Sequence, residues 1–399
     1  MKVKGSAPLL VGACAAALVG ASLTGVMAHQ TSAAPPAAGA PAQAGAARGG
    51  GGLNDPCGGR SPNPKEACPD DVNKMMATAG LLPDKPPATP QRARKVLVFS
   101  RIPSSGFQHS SIPLAMKTIE ALGKKTGAWT SDVAWDPSVF TADNLKQYDA
   151  MFLSSTTGTF LDDPNDQAVT DARRKALLDF VRGGKGVAGI HATGDSYHGG
   201  GGRGRAAGPG APGAAAGAGA RGAAAFAPCG NPQPAPAVAA AGATPGGNQG
   251  GGQGLWPEWN KMIGGWFKFH WVYPTPITVH IDDPSNPINA AFKGHDYDTI
   301  DEVYTFNQDS WSRENVHVLT SIDYSKMSDC DKSKESSPRT DHDFGLSWIR
   351  REGQGRVFYE ALGHHESIYY NNPAMLAHIL AGMQYALGDL KADDKPTAK

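Results

Sequence analysis

The chain has 399 residues, with 37 Lys plus Arg against 37 Asp plus Glu, so its formal charge is zero. No basic excess is present to hold a phosphate backbone, and nucleic acid is not an expected partner. The 50 glycines and 31 prolines crowd outside the apolar runs, which remain long enough in total for one sizeable core.

Lys2 and Lys4 precede an apolar, small-residue run from Ala7 to Ala28. Positive, apolar, then small is the order of a secretory signal. Residues 1–28 are expected to be a signal peptide cut before His29, or an uncleaved membrane anchor. Lipidation at Cys14 is a lesser alternative. The protein is therefore expected in the periplasm or outside the cell. Of five cysteines, cleavage leaves Cys57, Cys68, Cys229 and Cys330. Export permits disulfides. Cys57 with Cys68 would clip a short loop, and Cys229 with Cys330 is another possible pair. Residues 29–93 are rich in Ala, Gly and Pro and read as a disordered linker, with a weakly helical patch around Val72, Met75, Met76 and Leu82.

The folded domain is expected over 94–390. Lys95 to Ser100 is an apolar run suited to a central strand. The polar loop through His109 follows, then a helix from Ile112 to Lys125 with Pro113 in its first turn and Ser110 or Ser111 as cap. Thr130 to Trp135 reads as a strand and Ala142 to Gln147 as a short helix. Asp149 to Ser154 is a strand ending in the loop Ser155 to Thr159. A helix from Asn165 or Asp166 to Arg182 stops at Gly183-Gly184. Val187 to Ile190 is a buried strand that ends at His191. Alternating strands and helices imply an α/β domain with a mostly parallel sheet.

Residues 198–254 lose all periodicity and read as a disordered insertion whose ends are close in space. Order resumes with Trp256, Trp259, Met262 and Ile263. Strands follow at Ile277–Ile281, Glu302–Phe306, Val316–Ile322, Leu346–Arg350 and Arg356–Ala361, the last two joined by a turn at Glu352–Gly355. A final helix spans Pro373 to Leu387, and 391–399 read as a polar, frayed tail.

Loops after parallel strands converge at one edge of the sheet, where ligands bind. His109, His191 and His364 follow strands, and His270 follows the Trp-rich helix. Imidazoles gathered with a carboxylate suit a divalent ion such as zinc, or acid–base work near neutral pH. His109, His191, His270 and His364 are the candidate ligands. His191, Asp195, His109 and Glu302 are the candidate catalytic groups. Trp256, Trp259, His270, His364 and Thr157 are candidate substrate contacts, and Trp256 with Trp266 is a candidate sugar platform or a lid on the core. No Gly-x-Ser-x-Gly elbow occurs, and Gly183-Gly184-Lys185-Gly186 precedes a strand, unlike a dinucleotide or phosphate loop. No nucleotide cofactor is expected.

Six phrases together carry a family resemblance: Gly106 to Pro113, Phe152 to Gly158, Gly189 to Asp195, Trp259 to Gly265 with His270, Asp301 to Tyr304, and Ala361 to His364. From Lys95 to Leu387 the chain resembles the ThuA-like (trehalose utilisation) family. The resemblance implies a three-layer, flavodoxin-like domain of the type 1 glutamine-amidotransferase-like superfamily, with additional strands in the C-terminal half. It implies a role in sugar metabolism on a small saccharide, glycan or keto-glycoside, at a site of His109, His191, His270, His364, Asp195 and Glu302. Relatives with amidotransferase activity carry a catalytic cysteine where this chain has His191, so glutamine hydrolysis is not expected. The alternative is a non-catalytic glycan-binding or surface-displayed module.

Overall fold

The computed structural model describes residues 65–103, 107–198, 254–335 and 337–398. The expected leader over residues 1–28, most of the expected linker and nearly all of the expected insertion lie outside them. So do Cys57 and Cys229, whereas Cys68 and Cys330 are both disulfide-bonded. No helix among the described residues is long and apolar enough to cross a membrane.

One nine-stranded sheet organises the chain. Its first half is built from β1 (Lys95–Phe99), β2 (Thr130–Ala134), β3 (Ala150–Ser154) and β4 (Gly186–Ile190). These are the short apolar runs of the sequence, and β3 and β4 are buried along their whole length. Helices α2 (Ile112–Thr126), α3 (Ala142–Leu145) and α4 (Gln167–Arg182) link them. Asp166 caps α4 by accepting from the Val169 N–H at 3.0 Å. The second half contains α5 (Pro257–Ile263), β5 (Phe267–Ile281), β6 (Tyr297–Phe306), β7 (His317–Ile322), α6 (Asp329–Ser333), β8 (Gly345–Glu352), β9 (Gly355–Glu360), α7 (Ile368–Asn371) and α8 (Pro373–Leu387). The order is β2-β1-β3-β4-β9-β8-β7-β5-β6. Pairing is parallel from β2 to β9 and antiparallel from β9 to β6. The sheet is thus mixed, with helices flanking it.

The ordered domain starts earlier than composition suggested. Helix α1 (Pro69–Ala77) lies within the expected linker. Met75, Leu81 and Leu82 are buried in the core, and the Thr118 hydroxyl donates to Met75 Sδ. Beyond it, Ala88 exchanges two hydrogen bonds with the Gln384 amide on α8. The polar tail is likewise pinned: Thr397 N–H donates to the Val316 carbonyl at 3.1 Å, and Tyr385 donates to Asp394. Hydrogen bonds to backbone and a few buried side chains order these segments despite their low hydrophobicity.

The two ends of the insertion meet. The Leu255 N–H donates to the Tyr197 carbonyl at 2.7 Å, and Asn260 Nδ2 donates to Ser196 O at 3.1 Å.

Strand β5 decides where the site forms. Only Val279–Ile281 pairs with β7; the earlier part pairs with β6 alone. That leaves room for Pro274 and Pro276, which lack an N–H for a second ladder. The β5–β6 arm carries its own side chains to the edge where β1, β4 and β9 end.

Candidate metal centre

His191 is the first residue after β4 and opens the 3-10 turn His191–Asp195. Its φ of +46° lies in the left-handed region, which costs a non-glycine residue about 1 kcal/mol or more. Neighbours hold it there. The Tyr359 hydroxyl donates to its carbonyl at 2.6 Å. Gly194 allows that approach, since a Cβ there would meet Tyr359 Oη at 2.5 Å. Nδ1 of His191 sits 2.9 Å from the Ala361 carbonyl. A carbonyl only accepts, so Nδ1 carries the proton and Nε2 presents its lone pair.

That lone pair faces three other donors. His191 Nε2 is 3.2 Å from Glu302 Oε2 and 3.3 Å from His364 Nδ1. His364 Nδ1 is 3.0 Å from Glu302 Oε2, and His109 Nε2 is 3.7 Å from the same oxygen. One ligand atom from each of the four residues lies within 4.8 Å of the others. A tetrahedral ion with bonds of about 2.0–2.1 Å spaces its ligand atoms by roughly 3.3–3.4 Å. The donor set therefore fits zinc or a similar ion in chemistry and in spacing.

Protonation states agree for two of the ligands. Burial drives His109 down to about 3, with the charges of His191 and His364 adding to the effect and Glu302 opposing it. It is a neutral ring with a lone pair to give. Burial alone would raise Glu302, but His364, His270, His109 and His191 hold it well below the usual carboxylate range. His364 moves upward, because Glu302 and Asp301 outweigh the lowering effect of burial. An ion there would compete with a proton for its Nδ1.

The His364 loop is built by a residue that the sequence reading did not assign a role. Asp301 is fully buried and accepts three backbone N–H groups: Gly363 at 2.6 Å, His364 at 3.2 Å and His365 at 3.1 Å. Gly363 has φ +123°, and a Cβ there would lie 2.6 Å from Tyr369 Oη. Ser111, expected as a helix cap, makes no cap bond; its hydroxyl donates to Gly363 O at 2.9 Å. The loops carrying His109 and His364 are thereby tied together.

His270 stands opposite Tyr304 on β6, with Nδ1 3.1 Å from Glu302 Oε1. Glu302, expected as a catalytic group, thus completes the four-residue set. His270, expected as a ligand, instead meets the carboxylate from its other oxygen. Asp195 is outside the set. Its Oδ2 accepts from Thr157 Oγ1 at 2.7 Å, and its Oδ1 is 2.7 Å from His198 Nδ1. Burial would lower His198, but bonding to Asp195 and its charge push it up to about 9.

Trp256 and Trp259 are buried. They stack on each other at 6.0 Å, with Tyr197 edge-on to Trp256 and Phe160 edge-on to Trp259. Their rings are core, whereas Trp266 is half-buried. Tyr304, whose ring is 4.3 Å from that of His191, stood in a quoted phrase without a role, and Tyr273, stacked on His365 at 4.3 Å, was not singled out by sequence. The signal for Tyr273 was the break in alternation at Val272-Tyr273-Pro274.

A mixed α/β sheet with a histidine and glutamate cluster at the ends of its parallel strands defines the class of protein. The family model for ThuA, trehalose utilisation, matches residues 95–209 and 239–386. The chain belongs to that family. Among solved structures it is similar to a ThuA-like protein from Bacteroides uniformis, at 17% identity and a TM-score of 0.46, covering 75% of this chain and 94% of that one. It is also similar to one from Parabacteroides merdae, at 16% identity and a TM-score of 0.44, covering 77% and 93%. No curated protein matches.

Proposed function

We propose that the protein is an exported, divalent-metal-dependent enzyme of carbohydrate metabolism that acts on a glycoside, a keto-glycoside above all. The observation that carries this reading is the convergence of His109, His191, Glu302 and His364 within 4.8 Å, in a chain of the ThuA family. Zinc is the ion best suited to three imidazoles and one carboxylate. When bound, such an ion acts as a Lewis acid toward a carbonyl or hydroxyl oxygen.

The residues divide the remaining work. His191 is oriented by Ala361 O, and the carboxylate of Glu302 is shared between the cluster and His270. His270 is 26% exposed at its side chain, so it is the imidazole that reaches a substrate proton. The turn after β4 presents an imidazole and no thiol, which supports a reaction other than glutamine hydrolysis. Export is supported by Lys2, Lys4 and the apolar run to Ala28, and by disulfide-bonded Cys68 and Cys330, since disulfides persist in oxidising compartments.

The test is turnover by the metal-replete protein on keto-glycosides and plain glycosides, followed by mass spectrometry. Sugar release that stops on chelation, returns with zinc and is lost in Glu302→Gln is expected. Saturable sugar binding with no product from any of these glycosides would contradict catalysis and leave a glycan-binding module.

A further inference from the structure

The cluster leaves one oriented imidazole beside it without a role. The ligand His191 opens a 3-10 turn, and Asp195 closes it. Both carboxylate oxygens of Asp195 are engaged, Oδ2 by the Thr157 hydroxyl at 2.7 Å and Oδ1 by His198 Nδ1 at 2.7 Å. His198 Nδ1 also lies 2.7 Å from the Asp195 carbonyl. A carbonyl only accepts, so Nδ1 carries a proton and Nε2 is the nitrogen left to work. No described residue bonds Nε2, and the side chain is 20% exposed. A carboxylate thus orients the imidazole, and a hydroxyl orients the carboxylate.

The backbone is built to hold that arrangement. Tyr197, directly before His198, has φ +59°. For a residue other than glycine this is a strained state, which persists only where the surroundings impose it and which gathers at functional sites. Here the Tyr197 N–H donates to Gly158 O at 3.1 Å, its hydroxyl donates to Asp162 at 2.9 Å, and its ring is fully buried. Ser196 is tied to the loop after β3, its hydroxyl donating to Thr156 O at 2.7 Å. An ordinary surface ion pair needs no such frame. The His198 ring lies 5.3 Å from that of Phe267, and His270 lies 5.8 Å from the same ring. Two half-buried imidazoles, one beside Glu302 and the other on Asp195, therefore share one apolar neighbour.

We propose that His198 is the proton donor of the site, held in its working orientation by Asp195 and Thr157. This deepens the reading above and rests on it for the glycosidic bond that breaks. As the bond from carbon to the leaving oxygen breaks, its electron pair stays on the oxygen, which takes the Nε2 proton. A water balances the step: its oxygen bonds to the carbon, and the proton it releases recharges His198. Burial would lower the His198 pKa, but bonding to Asp195 and its charge raise it to about 9, so the donor is loaded at neutral pH. The groups facing His198 are Asp195 on its own segment and, across Phe267, His270 on β5 and Tyr304 on β6.

The experiment compares kcat/KM of the zinc-loaded parent, His198→Ala and Asp195→Asn on methyl and 4-nitrophenyl glycosides of the same plain and keto-sugars, with folding and zinc content checked on each preparation. Nitrophenolate leaves without a proton, and methoxide does not. His198→Ala is expected to lose roughly 100-fold or more on the methyl glycoside and to stay within a few-fold of the parent on the nitrophenyl one. Asp195→Asn keeps the imidazole but loosens its hold on the proton, so the fall in methyl-glycoside cleavage that the parent shows near pH 9 should move to lower pH. Equal losses on both glycosides, or no loss on either, in folded, zinc-loaded His198→Ala overturn the proposal and leave the metal-enzyme reading standing. A leaving-group-dependent loss in a protein indifferent to chelation keeps the donor and removes the metal. A parent that cleaves none of the glycosides overturns both.

Discussion

His191 and Ser155 share an unusual backbone state. Both follow parallel neighbours, β4 and β3, and both have positive φ, +46° and +44°. For His191 the strain accompanies a ligand position. Ser155 is buried, and its hydroxyl has no hydrogen-bond partner among the described residues. Ser155→Gly removes both the left-handed strain and an unsatisfied group, so urea unfolding should show a gain of about 1–2 kcal/mol; a loss would show that the hydroxyl is satisfied. His198 gives a pH-dependent counterpart. Its folded pKa, raised to about 9 by Asp195 despite burial, exceeds the unfolded value of about 6.5. The stabilisation is therefore complete below about pH 6.5 and is lost as pH rises through about 9. The melting temperature of His198→Ala should fall below that of the parent at about pH 6, and the gap should close by about pH 10. A gap independent of pH would mean that packing, and not the ion pair, is what His198 supplies. At this scale His109, His191 and His364 were legible because each follows an apolar strand. Asp301 was not, because its three backbone contacts are made to a loop some sixty residues onward.

Among the elements, the parallel strands and the final helix were legible from short apolar runs and helical spacing. Pro373–Leu387 begins and ends where its periodicity does. The strand β5 was only partly read, as Ile277–Ile281. Its first half does alternate, with Phe267, Phe269 and Trp271 buried between half-buried Lys268 and His270. The two prolines and the extra residues around Tyr273 masked that alternation. Helix α1 was legible only as a weakly helical patch around Val72, Met75, Met76 and Leu82, because it sits in a composition that favours disorder and is ordered by docking. Met75 is fully buried there. Met75→Ala should cost about 2–4 kcal/mol in urea unfolding. A cost under about 0.5 kcal/mol would place α1 outside the cooperative unit.

Across the whole molecule, the site is assembled from both halves of the sheet. Three histidines come from loops of the parallel half, while Glu302 arrives from β6 at the far edge of the strand order. No local pattern announces that meeting, since it depends on β5 leaving β7 after three paired residues. The 198–254 insertion interrupts the chain between these parts, yet Tyr197 and Leu255 are hydrogen-bonded to each other. Replacing 199–253 with a short Gly-Ser link should therefore preserve the melting temperature and the metal affinity; a collapse of either would assign the segment a structural role. The central claim is that the four converged side chains hold an ion, and elemental analysis of the untagged protein, prepared without chelator and reloaded with zinc, tests it most directly. Near-stoichiometric zinc in the parent, lost in a folded His191→Ala variant, is the predicted result. A parent that remains metal-free after reloading, or a variant that keeps the ion, would contradict it.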